Sequence, residues 1–427
     1  MEHLKISDSK DCFTLNGREF FYLADTVWSA FTNPSREEWE EYLDYRRLQN
    51  FNVLQINILP QWDRSGWDLP LEIAPFAVKQ DGTYDFYSPK EEYFAKAQKM
   101  LDMAVERDFR IALVVLWCDF VKGTWASDLM PEHMMPLDAV EPYVRYVLEK
   151  FSRYDPVYLV SGDTDFPSEE TNRYYRIALE TIKRLCPGAI TTMHPAGKLA
   201  ELPGEFENSR DLDFYMYQSA HFAEDQHMPR EMAEVFCQKA VRRPVLNGEP
   251  CYEGHGYGRR YGRFNAFDIR KATWQSLLSG AKAGIAYGAH GVWSWHRKGM
   301  NFANEAFSSK PYEWREALRF RGAWDVSFAK YIFETYRLFD LIPGDIVRND
   351  TKEIRFAMSA DAGKFAMYAP YQADIAVNMD LSGYDLTLVN LEDRIFARPA
   401  ADCEPGGSIL RMKEFNSDVL VIGIRRA

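Results

Sequence analysis

The sequence predicts an α/β chain, a (β/α)8 TIM barrel followed by a small C-terminal β-sandwich, and three observations predict it. From about residue 20 to 340, eight short apolar runs alternate with longer amphipathic segments, the pattern of a parallel sheet with helical crossovers. Several of those runs stay apolar until their last residues, as strands buried on both faces do. After Leu341-Ile342-Pro343-Gly344-Asp345 the texture changes to short alternating strands separated by turn residues. The 427 residues also exceed what one hydrophobic core usually holds, roughly 250–300 residues. Two domains are therefore expected, residues 1–341 for the barrel with an N-terminal hairpin and 342–427 for the sandwich.

The hairpin is read at Cys12–Leu15 and Glu19–Tyr22, about the turn dipeptide Asn16-Gly17. The strand candidates are Phe20–Asp25, Asn52–Leu59, Arg110–Trp117, Pro156–Asp163, Ala189–His194, Asp213–Ser219, Pro244–Glu249 and Gly284–Trp293. Between them, Ser35–Gln49 has a helix start in Ser35, with Glu38 closing a capping box. Further helices are expected over Pro89–Glu106, Leu137–Ser152, Ser168–Leu185, Arg230–Lys239, Ala266–Lys282 and Pro311–Phe339. The crossover around Ala196–Asp211 contains Gly and Pro and should hold little helix. The sandwich strands are expected to include Phe365–Tyr368, Ile375–Asn378, Leu386–Val389 and Val419–Ile424; the alternative is extra strands lying on the barrel without a core of their own.

Composition removes several function classes. Lys plus Arg number 51 against 63 Asp plus Glu, a net charge of −12 with no long basic run, so nucleic acid is not an expected partner. No apolar run approaches the ~18 residues of a membrane span, so no membrane partner is expected either. The six cysteines form no C-x-x-C pair, which argues for free thiols rather than a zinc or redox motif. The chain starts without a charged segment leading into an apolar one, so a cytoplasmic location is expected unless a leader was removed. Aromatic residues make up 15%, with 11 Trp. Rings that stack on sugars and a Trp-rich core both account for that.

In a barrel of this kind, chemistry sits at the C-terminal ends of the strands. Those ends here read Asp25-Thr26-Val27-Trp28, Gln61-Trp62-Asp63, Trp117-Cys118-Asp119, Ser161-Gly162-Asp163-Thr164-Asp165, His194, Gln218-Ser219-Ala220-His221, Asn247-Gly248-Glu249-Pro250 and His290-Gly291-Val292-Trp293-Ser294-Trp295. An ionised group at a strand end needs solvent or a partner, so such clustering favours a site. Asp163 and Glu249 would face each other across the barrel mouth. Glycosidic cleavage with retention needs two carboxyl groups about 5–5.5 Å apart, one protonating the leaving oxygen and one attacking the anomeric carbon. Asp163 is the candidate acid/base, with Asp165 as its competitor, and Glu249 the candidate nucleophile. Asp25, Trp28, Trp62, Trp117, Asp165, His194, Gln218, His221, Glu253, His290, Trp293 and Trp295 are the candidate sugar contacts.

Blander roles exist for each. Asp163 could cap the helix starting near Ser168 or join a network with Asp165, Glu249 could pair with Arg259 or Arg260, and each histidine could be a satisfied core imidazole. Three histidines with Asp25 also suggest a barrel metal site, but Ala24-Asp25-Thr26 lacks the H-x-H that such sites carry on strand one. No metal and no cofactor are expected. Gly254-His255-Gly256-Tyr257-Gly258 follows Glu249 instead of opening a strand-to-helix turn, which suits an active-site loop better than a dinucleotide fingerprint. A barrel that binds carbohydrate without cleaving it, or a metal-dependent hydrolase, are the rival functions.

Five blocks, in order, resemble the apiosidase-like glycoside hydrolases, family 140 and its relatives. They are Phe20 to Trp28, Phe51-Asn52-Val53-Leu54-Gln55, Ser161-Gly162-Asp163, Pro244 to Gly254, and Tyr287 to Trp295, spread over about residues 12–340. The resemblance implies a clan A barrel with a trailing β-sandwich of the type named for collagen binding, and release of apiose from branched pectin. It also places the acid/base on Asp163 and the nucleophile on Glu249. Two departures stand out: Ser161 where the family commonly has Gly, and Tyr287-Gly288-Ala289-His290 where a paired His is common. Both are expected to touch sugar contacts. A small plant-derived oligosaccharide or glycoside is the expected carbohydrate partner.

Overall fold

The structure is a computed structural model that describes residues 3–412 and 416–426; the outer ends of both expected domains, at 1 and 427, lie outside the described residues. Eight strands make one sheet: β1 (Tyr22–Thr26), β2 (Val53–Asn57), β3 (Arg110–Trp117), β4 (Val157–Gly162), β5 (Thr191–Thr192), β6 (Tyr215–Gln218), β7 (Val245–Glu249) and β8 (Gly284–Tyr287). Their order is β5-β4-β3-β2-β1-β8-β7-β6, with every pair parallel. The two outer strands meet where the Asp213 N–H donates to the Thr191 carbonyl at 3.0 Å and the Thr192 hydroxyl to the Phe214 carbonyl at 2.8 Å. That seam closes the barrel. β5 shrinks there to two residues, and its crossover to β6 holds only the one-turn helix Gly204–Glu207, in keeping with its Gly and Pro content.

Local chemistry sets the other boundaries. Ser35 accepts from the Glu38 N–H while Glu38 accepts from the Ser35 N–H, so helix Arg36–Leu48 starts at the expected capping box. The expected helix over Pro311–Phe339 is two, Trp314–Leu318 and Gly322–Tyr336. The break has a physical cause, since the Gly322 N–H donates to the Glu253 carboxylate at 2.8 Å and a Cβ on Gly322 would lie 2.4 Å from that oxygen. β8 is also shorter than expected, ending at Tyr287 before a looped stretch to Trp295. At the barrel base the hairpin pairs Phe13–Leu15 with Arg18–Phe20 about Asn16 and Gly17, both with positive φ as a tight hairpin turn requires. Leu4–Ile6 adds a third strand, and Phe13 packs on Tyr22 and Phe214 beneath β1 and β6.

After residue 341 a six-stranded antiparallel sheet and a three-stranded one face each other. Period-two alternation divides their contacts. Phe365, Met367, Val419 and Val421 point between the sheets into a separate core with Ile375, Val377 and Leu410. Ala366, Tyr368, Leu420 and Ile422 point the other way and join the core of the barrel. The C-terminal strands therefore have a core of their own.

A buried ion network crosses that junction. Arg270, in helix Ala266–Leu278, donates to Asp325 at 3.0 Å and to Asp418 at 2.8 Å, and all three side chains are almost wholly buried. Removing the arginine strands Asp418 away from water and leaves Asp325 to Arg394 alone, and losing one partner of a buried pair costs about 3–5 kcal/mol. Arg270→Ala is expected to lower the melting temperature by several degrees in a calorimetric scan. An unchanged melt would show that Arg394 on Asp325, with Tyr368 and Ser417 on Asp418, holds the junction without it.

Candidate active site

The C-terminal ends of the strands open into a cavity of about 390 Å³. Trp28, Trp62, Trp117, Trp125, Trp293 and Tyr252 supply aromatic wall, and Asp63, Asp163 and Glu249 supply carboxyl groups. The sheet positions the two candidate catalytic groups directly. Glu249 is the last residue of β7, and Asp163 follows the last residue of β4 in a left-handed conformation, φ 51°. Gly162 is needed just before it: a Cβ there would lie 2.2 Å from the Trp117 ring, which packs across the end of β4.

Glu249 is held asymmetrically. Its Oε1 accepts from Gln218 Nε2 at 2.8 Å and from His221 Nε2 at 2.8 Å. Its Oε2 makes no well-formed hydrogen bond, although His194 Nε2 stands 3.3 Å away. The histidine's own tautomer follows from its far side, where the Asp163 N–H donates to Nδ1 at 3.2 Å. A nitrogen that accepts carries no proton, so in neutral His194 the proton is on Nε2 and faces the carboxylate. One imidazole thus spans from the backbone of Asp163 to the side chain of Glu249.

The two carboxyls differ in proton affinity. Burial raises that of Glu249, but His194 and His221 more than offset it, and the group sits down at about 2. Asp163 is pushed well above the usual carboxylate range, first by burial and then by the negative charges of Glu249, Asp63 and Asp165. One group holds a proton where the other is ionised. Environments that drive two neighbouring carboxyls apart in this way mark an acid and a base.

Of the other expected sugar contacts, Trp28, Trp62, Trp117, Gln218, His221 and Trp293 line the cavity. His194 lies beneath it, against Trp28, Trp117 and Glu249. Four others are turned elsewhere. Asp25 is wholly buried, accepting from Arg46 Nε and the Tyr42 hydroxyl at 2.7 Å each, so it neutralises an interior arginine. Glu253 accepts from the Tyr287 hydroxyl at 2.6 Å and from Gly322, and burial raises it to about 7. Trp295 stacks on Trp314 at 4.6 Å and donates to Glu38. His290 donates to the Ser309 carbonyl at 2.8 Å and accepts from Trp293, and burial lowers it to about 3, so it is a neutral imidazole behind the wall. Asp165 is partly buried with one oxygen unpartnered, and it does not line the cavity.

Two of the blander roles for the main pair fall to other residues. Ser168 caps helix Glu169–Leu185, and Arg260 pairs with Glu224 while Arg259 lines the cavity rim. The Ser161 departure is not a sugar contact. Its buried hydroxyl accepts from the His194 N–H at 3.0 Å and ties β4 to the second residue past β5. Among the described residues no group of three or more His, Cys, Asp or Glu is arranged to hold a metal ion.

Several cavity residues were not among the expected sugar contacts. Tyr252 and His255 sit three and six residues past Glu249, in the glycine-containing loop, and Tyr252 accepts from Trp28 Nε1 at 3.2 Å. Gly288 makes room for it, since a Cβ there would lie 2.1 Å from the Tyr252 ring. Trp125 and Asn304 come from loops between elements. Asp63 is a buried carboxyl with one oxygen unpartnered, raised by burial and by Asp119 and Glu249.

The model of the apiosidase-like catalytic domain matches residues 7–340. No curated protein sequence matches the chain. Among solved structures, one of a glycoside hydrolase has a TM-score of 0.81 at 18% identity, covering 99% of this chain and 97% of that one. A family 5 glycoside hydrolase from Bacteroides vulgatus has a TM-score of 0.81 at 17% identity, covering 99% and 93%. At such identities the likeness concerns the fold, and the family rests on the domain match. The chain belongs to the apiosidase-like family and is a glycoside hydrolase.

Proposed function

We propose that the chain cleaves a plant-derived oligosaccharide or glycoside by double displacement with retention, Glu249 being the nucleophile and Asp163 the acid/base. The observation that carries this is the pair itself, an ionised Glu249 whose Oε2 has no well-formed hydrogen bond beside a proton-holding Asp163 in a Trp-walled cavity. Gln218 and His221 fix Oε1, which leaves Oε2 as the attacking atom. Asp163 protonates the departing oxygen, a glycosyl ester forms on Oε2, and Asp163 then takes a proton from the water that hydrolyses it. Trp28, Trp62, Trp117 and Trp293 give the sugar apolar faces, and the Trp117 indole N–H, buried without a partner, suits a sugar hydroxyl. Apiose is the sugar that the family resemblance favours.

The test is a screen of aryl glycosides, furanosides included, with the first-formed anomer of the best substrate read by NMR. The product is expected to keep the substrate's configuration. Inversion would replace the nucleophile with a water-activating base. Turnover is expected to be unaffected by a chelator, and abolition by one would favour the metal-dependent rival. Sugar binding by calorimetry with no product would favour a barrel that only binds.

A further inference from the structure

A second cavity, of about 270 Å³, adjoins the first, and Gln61 and Trp62 line both. Its lining includes three exposed apolar side chains, Trp67 at 42%, Leu69 at 50% and Val78 at 53%, together with Tyr84 and the polar Arg64, Glu132 and His133. Exposed large apolar groups grouped beside a site mark a binding surface more often than a solvated one.

The position of the candidate acid says which part of a substrate comes here. An acid that protonates the leaving oxygen stands on the leaving-group side of the scissile bond. Trp125 donates its indole N–H to the Asp163 carbonyl at 2.8 Å and packs edge-on against Trp62 at 5.8 Å. Trp62 in turn forms the boundary with the second cavity. Asp163, Trp125 and Trp62 are thus joined by successive contacts that reach the second cavity, where Trp67 lies.

We infer that this second cavity is a distal leaving-group subsite, in which Trp67 takes the face of a sugar or aromatic ring one unit beyond the group attached at the scissile bond. The inference rests on the acid/base assignment proposed above. The enzyme then acts on a glycoside whose leaving group is at least two rings long. Arg64, which also lines this cavity, donates to the Trp67 and Leu69 carbonyls and so ties down the loop that carries Trp67.

The experiment compares the wild type with Trp67→Ala on two probes, 4-nitrophenyl apiofuranoside and an apiosyl-glucosyl flavone. The first is short enough to stay in the main cavity, and the second reaches further. The variant is expected to keep its kcat/KM on the short probe and to lose about tenfold on the long one, mainly in KM, as one lost stacking contact allows. Equal values for variant and wild type on the long probe would overturn the subsite, and so would an equal loss on both probes. Turnover of neither probe by the wild type would count against the proposed reaction instead. Calorimetric titration of the flavone glycoside into both proteins then decides the subsite: a tenfold weaker Kd for Trp67→Ala supports it and an unchanged Kd removes it.

Discussion

Glu249→Gln is expected to lose at least about four orders of magnitude in turnover while melting within a few degrees of the wild type, because removal of a nucleophile leaves only binding and positioning. The expectation separates chemistry from structure. A glutamine side chain can still accept from Gln218 and His221 through its carbonyl oxygen, so the hydrogen bonds at Oε1 persist. Its amide nitrogen then takes the place of Oε2 and faces the His194 Nε2–H, a donor against a donor, which is why a loss of a few degrees in the melt is expected. The variant also removes a buried charge, which costs free energy wherever it is incompletely paired. Turnover on an aryl glycoside and a thermal melt, read together, test both halves. Near-wild-type turnover would take the nucleophile's role from Glu249, and a collapsed melt would make its role structural.

Much of this arrangement was legible in the chain. Runs that stay apolar until their last residues place eight strands, and the polar ends of those strands locate Asp163, Glu249, Gln218 and His221. The same logic misplaced Asp25, Glu253, Trp295 and His290, because a strand end has two sides. Asp25 faces inward to Arg46, and that pairing joins residues 21 apart on different elements. Glu253 caps a helix that starts nearly seventy residues later, a contact no local pattern encodes. Trp125, Asn304 and the second cavity come from loops, whose courses depend on packing, not on periodicity. The fold was readable because burial is periodic, and the outer site was not because loops carry no period.

Asp163→Ala should lower kcat by roughly 10²–10⁴-fold on a substrate with a poor leaving group, the usual worth of general acid/base catalysis, and far less where the leaving group departs without a proton. Added azide should restore turnover of the activated substrate and release a glycosyl azide of retained configuration, since azide attacks the glycosyl-enzyme without needing a base. If Asp165→Ala shows that rescue instead, the acid moves two residues along the chain. The pH profile carries the same assignment. Asp163 must hold its proton for the first step, so kcat/KM should fall as pH rises through its elevated pKa, and Glu249 must be ionised, so the acid limb should lie low, toward about 2. The alkaline limb should vanish in Asp163→Ala. The first charge holding Asp163's affinity up is that of Glu249, and esterification of Glu249 removes it. Under the proposed mechanism Asp163 is therefore expected to become more acidic once the glycosyl-enzyme forms, which would turn the acid of the first step into the base of the second without any movement of the protein.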